Sequence, residues 1–108
     1  RRGAPCNVAV GSECFASLCK ALVADEVSIE PGESRAATTL TWRLPQATDL
    51  RFARDGIAFD SPQFACSPVN AKEFQCVDSA PVGRHKYTVR LEWRDHSFRP
   101  LDPWVVNK

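Results

Sequence analysis

The sequence predicts a mostly β, single-domain antiparallel sandwich of about seven short strands, with one short N-terminal helix. Three observations carry that prediction. From Tyr87 to Arg94 the residues alternate strictly, with Tyr87, Val89, Leu91 and Trp93 on one side and Thr88, Arg90, Glu92 and Arg94 on the other. This is the period-two mark of a strand with one buried face. Thr38 to Leu44 repeats it, with Leu40, Trp42 and Leu44 inward and Thr39, Thr41 and Arg43 outward. Gly, Pro and Asp turn signals recur at intervals of about ten residues, the spacing of short strands joined by tight connections. Two strands with such bulky inner faces need an opposing apolar layer.

The elements follow in order. Residues 1–5 read as a loose lead-in to one domain spanning 1–108. Val8 and Val10 share a face in a short strand ending at Gly11-Ser12. The period then changes. Phe15, Leu18, Cys19 and Leu22 stand at i, i+3, i+4 and i+7, which predicts a helix over 13–23 with Ser12 as its N-cap. Val27 and Ile29 point inward from a strand that Pro31-Gly32 ends with a turn. The Thr38–Leu44 strand stops at Pro45. Asp55-Gly56, flanked by Leu50-Arg51-Phe52 and Ile57-Ala58-Phe59, predicts a hairpin with Gly56 at positive φ. Phe64-Ala65-Cys66 and Phe74-Gln75-Cys76 form a second hairpin. The long strand follows, and Trp104-Val105-Val106 closes the fold, with Pro103 suiting either an edge strand or the first position of a strand. Trp42 and Trp93 alternate with the apolar set and are expected in the core.

Composition narrows the function. Fourteen basic residues face thirteen acidic ones, for a net charge of +1, so no bulk field draws in nucleic acid or an anionic membrane surface. No apolar run is long enough to span a membrane. The chain contains no Met, so its start is expected to have been removed or trimmed.

The five cysteines would serve as disulfides in an exported protein and as thiols or metal ligands in a cytosolic one, and the spacing of Cys66 and Cys76 favours export. Cys66 and Cys76 each follow a same-face Phe by two residues, and a bridge between them would stabilise the fold by roughly 2–3 kcal/mol. On a helix, Cys14 and Cys19 diverge by roughly 140° and do not meet. The second expected bridge is therefore Cys6 with Cys14 or Cys19. The odd cysteine is either an inert buried thiol or a route to a disulfide-linked dimer of an otherwise monomeric chain.

Few residues suggest chemistry. His85 and His96 lie at opposite ends of the long strand, roughly 25 Å apart, too far to share a copper or other metal. Cys14-x4-Cys19 lacks a zinc-knuckle spacing. No nucleophile elbow or phosphate loop is present. The reading is of a chain that is not an enzyme and needs no cofactor. The candidate contact surface is Arg43, Arg90 and Arg94 on the outer strand faces, together with Trp104.

The segments TLTWRLP, RFARDGIAF, FAC, FQCVD, GRHKYTVRLEW and LDPWVVNK, covering Val27 to Lys108, resemble small exported bacterial proteins of uncharacterised function. The Gly83-x3-Tyr87-Thr88-Val89 pattern is similar to the penultimate strand of immunoglobulin-like and cupredoxin-like sandwiches. The resemblance implies a sandwich and a place in the cell envelope, in the periplasm or at the cell surface. It carries no catalytic residues. The functional expectation is a non-catalytic binding or structural module whose partner is a protein or surface ligand. The alternative is a redox or metal-handling protein using Cys6, Cys14 and Cys19.

Overall fold

The computed structural model describes residues 6–15, 18–29, 38–46, 50–93 and 97–108, and for 13–15, 18–20 and 97 it describes the backbone. Eleven strands form among the described residues. They are β1 (Cys6–Ala9), β2 (Gly11–Phe15), β3 (Leu18–Leu22), β4 (Glu26–Ile29), β5 (Thr38–Arg43), β6 (Arg51–Phe59), β7 (Phe64–Asn70), β8 (Glu73–Asp78), β9 (Gly83–Glu92), β10 (Ser97–Arg99) and β11 (Trp104–Asn107). Two four-stranded sheets, ordered β1-β5-β8-β7 and β4-β11-β9-β6, pack as a sandwich, and a small third sheet is ordered β10-β3-β2. The Pro31-Gly32 turn, Arg94 and His96 lie outside the described residues.

The alternating faces meet as their pattern requires. Leu40 and Trp42 from β5, Phe74 and Cys76 from β8, and Val8 from β1 face Tyr87, Val89 and Leu91 from β9 and Val105 from β11, all buried. Aromatic rings join the layers. Trp42 meets Tyr87 edge-on with centroids 5.2 Å apart, Phe52 meets Phe74 at 5.6 Å, and Phe59 stacks on Phe64 at 3.7 Å. Each such ring brings a large apolar area to the contact between the sheets.

One polar contact crosses this core. The Trp42 indole N–H donates to the Tyr87 hydroxyl at 3.2 Å. Burial pushes the Tyr87 phenol up to about 12, while the Trp42 bond pulls the other way. The native state therefore keeps its proton between pH 10 and 12 while the unfolded chain releases it. Stability is whole below pH 10 and falls by about 1.4 kcal/mol for each pH unit up to about 12. Tyr87 is the only tyrosine, so phenolate absorbance at alkaline pH reads this group alone. The expected titration lies near 12 or coincides with unfolding. A titration near 10 in the folded state would contradict the burial.

Three sequence expectations are corrected. The segment predicted as a helix over 13–23 is instead a β-hairpin of β2 and β3, and no helix occurs among the described residues. The i, i+3 and i+7 spacing of Phe15, Leu18 and Leu22 also suits a tight hairpin, in which Phe15 stands opposite Leu18 and Leu22 lies four residues further along β3, and pairing of β3 with β10 settles it as sheet. Secondly, the sheets are mixed. β1 runs parallel to β5, β4 to β11, and β3 to β10. β11 accordingly lies between β4 and β9, away from the sheet edge.

The third correction concerns Asp55-Gly56. β6 passes straight through it, pairing Phe52 with Leu91 and then Ile57 with Val89. The extra residues form a bulge, and Arg90 of β9 reaches the Asp55 carboxylate there at 3.3 Å. Gly56 does not take a positive φ. It is needed for space, since a Cβ would stand 2.8 Å from the Phe52 Cβ and 3.0 Å from the Ala53 carbonyl. Gly56→Ala is expected to cost about 1–3 kcal/mol through overpacking, read as a lower urea midpoint. An unchanged midpoint would show that the bulge opens freely.

The second predicted hairpin forms as read. β7 and β8 pair with Cys66 opposite Cys76, and their sulfurs are bonded at 2.05 Å. The turn is set locally, with the Asn70 side chain accepting from the Lys72 N–H at 2.8 Å. Its tip is tied to both sheets, through Leu44 N–H to the Lys72 carbonyl and Phe52 N–H to the Ala71 carbonyl. Trp93, expected in the core with Trp42, is half-buried and packs against the core's margin.

Candidate functional site

The outer face of β11 carries the one aromatic side chain that the sequence singled out as a contact residue. Alternation turns Val105 fully inward and leaves Trp104 half-buried on the other face. The register places Glu26 of β4 on one side of Trp104 and Lys86 of β9 on the other. The Arg84 guanidinium lies 4.4 Å from the centroid of the Trp104 ring, and the Lys86 ammonium 5.3 Å. Cations so placed are attracted by the ring's electron-rich face. Arg84 also meets Glu26 at 3.1 Å.

Beside this ring is a groove of about 370 Å³, within the size range of small-ligand sites. Val23, Asp25 and Glu26 form one wall, and Leu101, Asp102, Pro103 and Trp104 the other, with Arg84 also lining it. The walls are held by backbone bonds. Trp104 N–H donates to the Asp25 carbonyl at 2.8 Å, and Tyr87 N–H to the Pro103 carbonyl at 3.0 Å. Asp102 accepts from the Thr88 hydroxyl at 3.2 Å. Three carboxylates against one guanidinium give the lining a net negative charge. An aromatic plane flanked by carboxylates and a guanidinium suits a ligand with both an apolar face and polar donors.

The other expected contact residues do not join this site. Arg43 lies on the opposite sheet, where Glu73 holds its guanidinium at 3.1 Å. Arg90 is engaged by Asp55 in the β6 bulge. Arg94 is outside the described residues. Asp25, Glu26, Arg84 and Asp102 were missed by sequence reasoning. Arg84 alone carried a signal, since it shares its alternating face with Lys86 and Arg90.

The cysteine expectations divide. Cys66–Cys76 is formed. Cys6 is a free, half-buried thiol, so the bridge expected from Cys6 to Cys14 or Cys19 is not made. The reason is geometric. β1 is tied parallel to β5 with Cys6 opposite Leu40, while Cys14 and Cys19 stand opposite each other in the hairpin of the third sheet. The side chains of Cys14 and Cys19 lie outside the described residues. Burial pushes the Cys6 thiol up, which lowers its thiolate fraction and hence its reactivity. Among the described residues no cluster of three or more His, Cys, Asp or Glu is arranged to hold a metal ion. No helix among them is long and apolar enough to cross a membrane. No protein-family model matches this chain, and no curated protein matches it.

Proposed function

We propose that this chain is a non-catalytic binding module of the bacterial cell envelope, an immunoglobulin-like or cupredoxin-like sandwich that takes its ligand beside Trp104. The observation that carries the reading is the groove of about 370 Å³ with Trp104, Arg84 and three carboxylates on its walls. Trp104 and Arg84 stand on strands with a neighbour on each side, β11 between β4 and β9 and β9 between β11 and β6, so the ring and the guanidinium are pre-positioned rather than carried on a free loop. Pre-positioning lowers the entropy cost of binding. The Cys66–Cys76 bridge is consistent with an oxidising compartment outside the cytoplasm, which supports export to the periplasm or cell surface. The alternative of a redox protein is less well supported, because the Cys6 thiol is pushed away from reactivity by burial.

The test is co-sedimentation of the purified protein with insoluble bacterial cell-wall material. Trp104→Ala is expected to weaken retention by about tenfold, since an aromatic anchor at the centre of a contact is worth 1–2 kcal/mol or more. Trp104 is only half-buried, so the variant should fold. Equal retention of both proteins, or retention of neither, would count against the reading.

A further inference from the structure

Strand β9 brings two cations to one ring of β11. The Arg84 guanidinium lies 4.4 Å and the Lys86 ammonium 5.3 Å from the Trp104 centroid. Arg84 stands on β9 and Glu26 on β4, with β11 between them, so their 3.1 Å ion pair spans the strand that carries the ring. The guanidinium is thus held twice, by the ring and by the Glu26 carboxylate, which cancels its charge. The other two carboxylates of the groove are not cancelled. Asp25 and Asp102 line it, both are exposed, and neither belongs to an ion pair among the described residues. Asp102 commits only its Oδ1, to the Thr88 hydroxyl. Lys86 reaches the ring but does not line the groove. The lining therefore presents two uncancelled carboxylates beside Val23, Leu101, Pro103 and the indole.

We propose that the ligand of this groove is an organic cation, a primary ammonium or guanidinium on an apolar stem, an inference that rests on the binding-module reading above. Ionised carboxylates accept hydrogen bonds and cannot donate them, so what meets Asp25 and Asp102 must be a donor. The electron-rich face of an indole attracts cations. The chain's own Arg84 displays the arrangement, a guanidinium set against both the ring and a carboxylate. The apolar side chains of the lining take the stem. An anionic ligand would find only Arg84, already paired with Glu26, and would be repelled by Asp25 and Asp102. The lysine and arginine side chains of a partner peptide and free polyamines share this chemistry.

N-acetylarginine amide is the probe for a peptide side chain and spermidine for a free polyamine. N-acetylcitrulline amide, the uncharged isostere of the first, is the control. Binding to the full chain is followed by NMR on the Trp104 indole N–H signal, identified by its loss in Trp104→Ala. Millimolar affinity is expected for one or both cations and none for the control, since exposed ion pairs are individually weak. Binding should fade in about 1 M NaCl, where the screening length is about 3 Å. Asp25→Asn and Asp102→Asn should each weaken it about threefold. Arg84→Gln separates the charge classes. It removes a competing cation and frees Glu26, so cation binding should tighten about threefold, whereas binding of an anion would be lost. All three side chains are exposed, and the Asp25 carbonyl that accepts from Trp104 N–H is backbone, so these variants should fold. Binding of neither cation by the wild-type protein would overturn the proposal without reference to any variant. Equal binding of the citrulline control, weaker cation binding in Arg84→Gln, or no effect of either Asp→Asn change would overturn it too. Retention on cell-wall material that still depends on Trp104 would in that case leave the groove standing as the binding site, so the two readings fail separately.

Discussion

Trp42→Ala is expected to destabilise this protein by about 3–5 kcal/mol, the largest effect among single core truncations. Trp42 has no exposed surface and sits where the two sheets touch. Its ring contacts Tyr87 and Phe59, and its indole N–H is bonded to the Tyr87 hydroxyl. Truncation removes the apolar area, leaves a cavity that the paired strands hold open, and strips the buried hydroxyl of a donor. Small domains have only about 5–15 kcal/mol to lose. The urea midpoint should fall sharply with little change in slope. Trp42→Phe, which keeps the ring and loses the bond, should cost far less. Trp93→Ala, at the half-buried margin, should also cost less than Trp42→Ala. Equal midpoints for the two alanine variants would mean that the sheets do not close over Trp42.

Loss of the Cys66–Cys76 bridge is expected to cost about 2.7 kcal/mol from the closed loop alone, given a sequence separation of 10. In a domain of this size that lowers the thermal midpoint by about 10 °C or more. Cys66 is the better residue to change. It is half-buried, whereas Cys76 has no exposed surface, and a serine there would add the cost of burying a hydroxyl. Cys66→Ser should melt well below the wild type in oxidising buffer and close to it in strong reductant. Equal differences in both buffers would assign the loss to packing rather than to the cross-link.

The parts of this fold that were legible in the sequence are those set by nearest neighbours. Alternation of Leu40 with Trp42, and of Tyr87 with Val89 and Leu91, identified two central strands and their inner faces, all buried as read. The matched Phe-x-Cys segments identified the β7–β8 hairpin and its cross-link. What the sequence hid depends on partners far along the chain. The residues of β2 and β3 fit a helical stripe until pairing with β10 is known. Asp55-Gly56 is a turn by composition, yet β9 offers a longer strand to pair with and absorbs the extra residues in a bulge. The candidate site shows the same division. Trp104 was singled out because the last strand was read as an edge, a premise that the place of β11 between β4 and β9 overturns. Glu26 and Asp25 were not, because only the parallel pairing of β4 with β11 brings them beside it.

That parallel pairing also constrains the order of assembly. β4 has one sheet neighbour, β11, and most of the chain lies between them. The β7–β8 hairpin, closed by Ala71 and Lys72 alone, can form early. β4 has no strand to join until Trp104 to Asn107 are available, and connections that distant close slowly. During synthesis, Val27 and Ile29 therefore remain uncovered until the β11 segment arrives, a period in which the chain is open to mispairing with other chains. The walls of the Trp104 groove come from these two late-meeting segments and from β9, so the groove itself does not exist before β4, β11 and β9 have met.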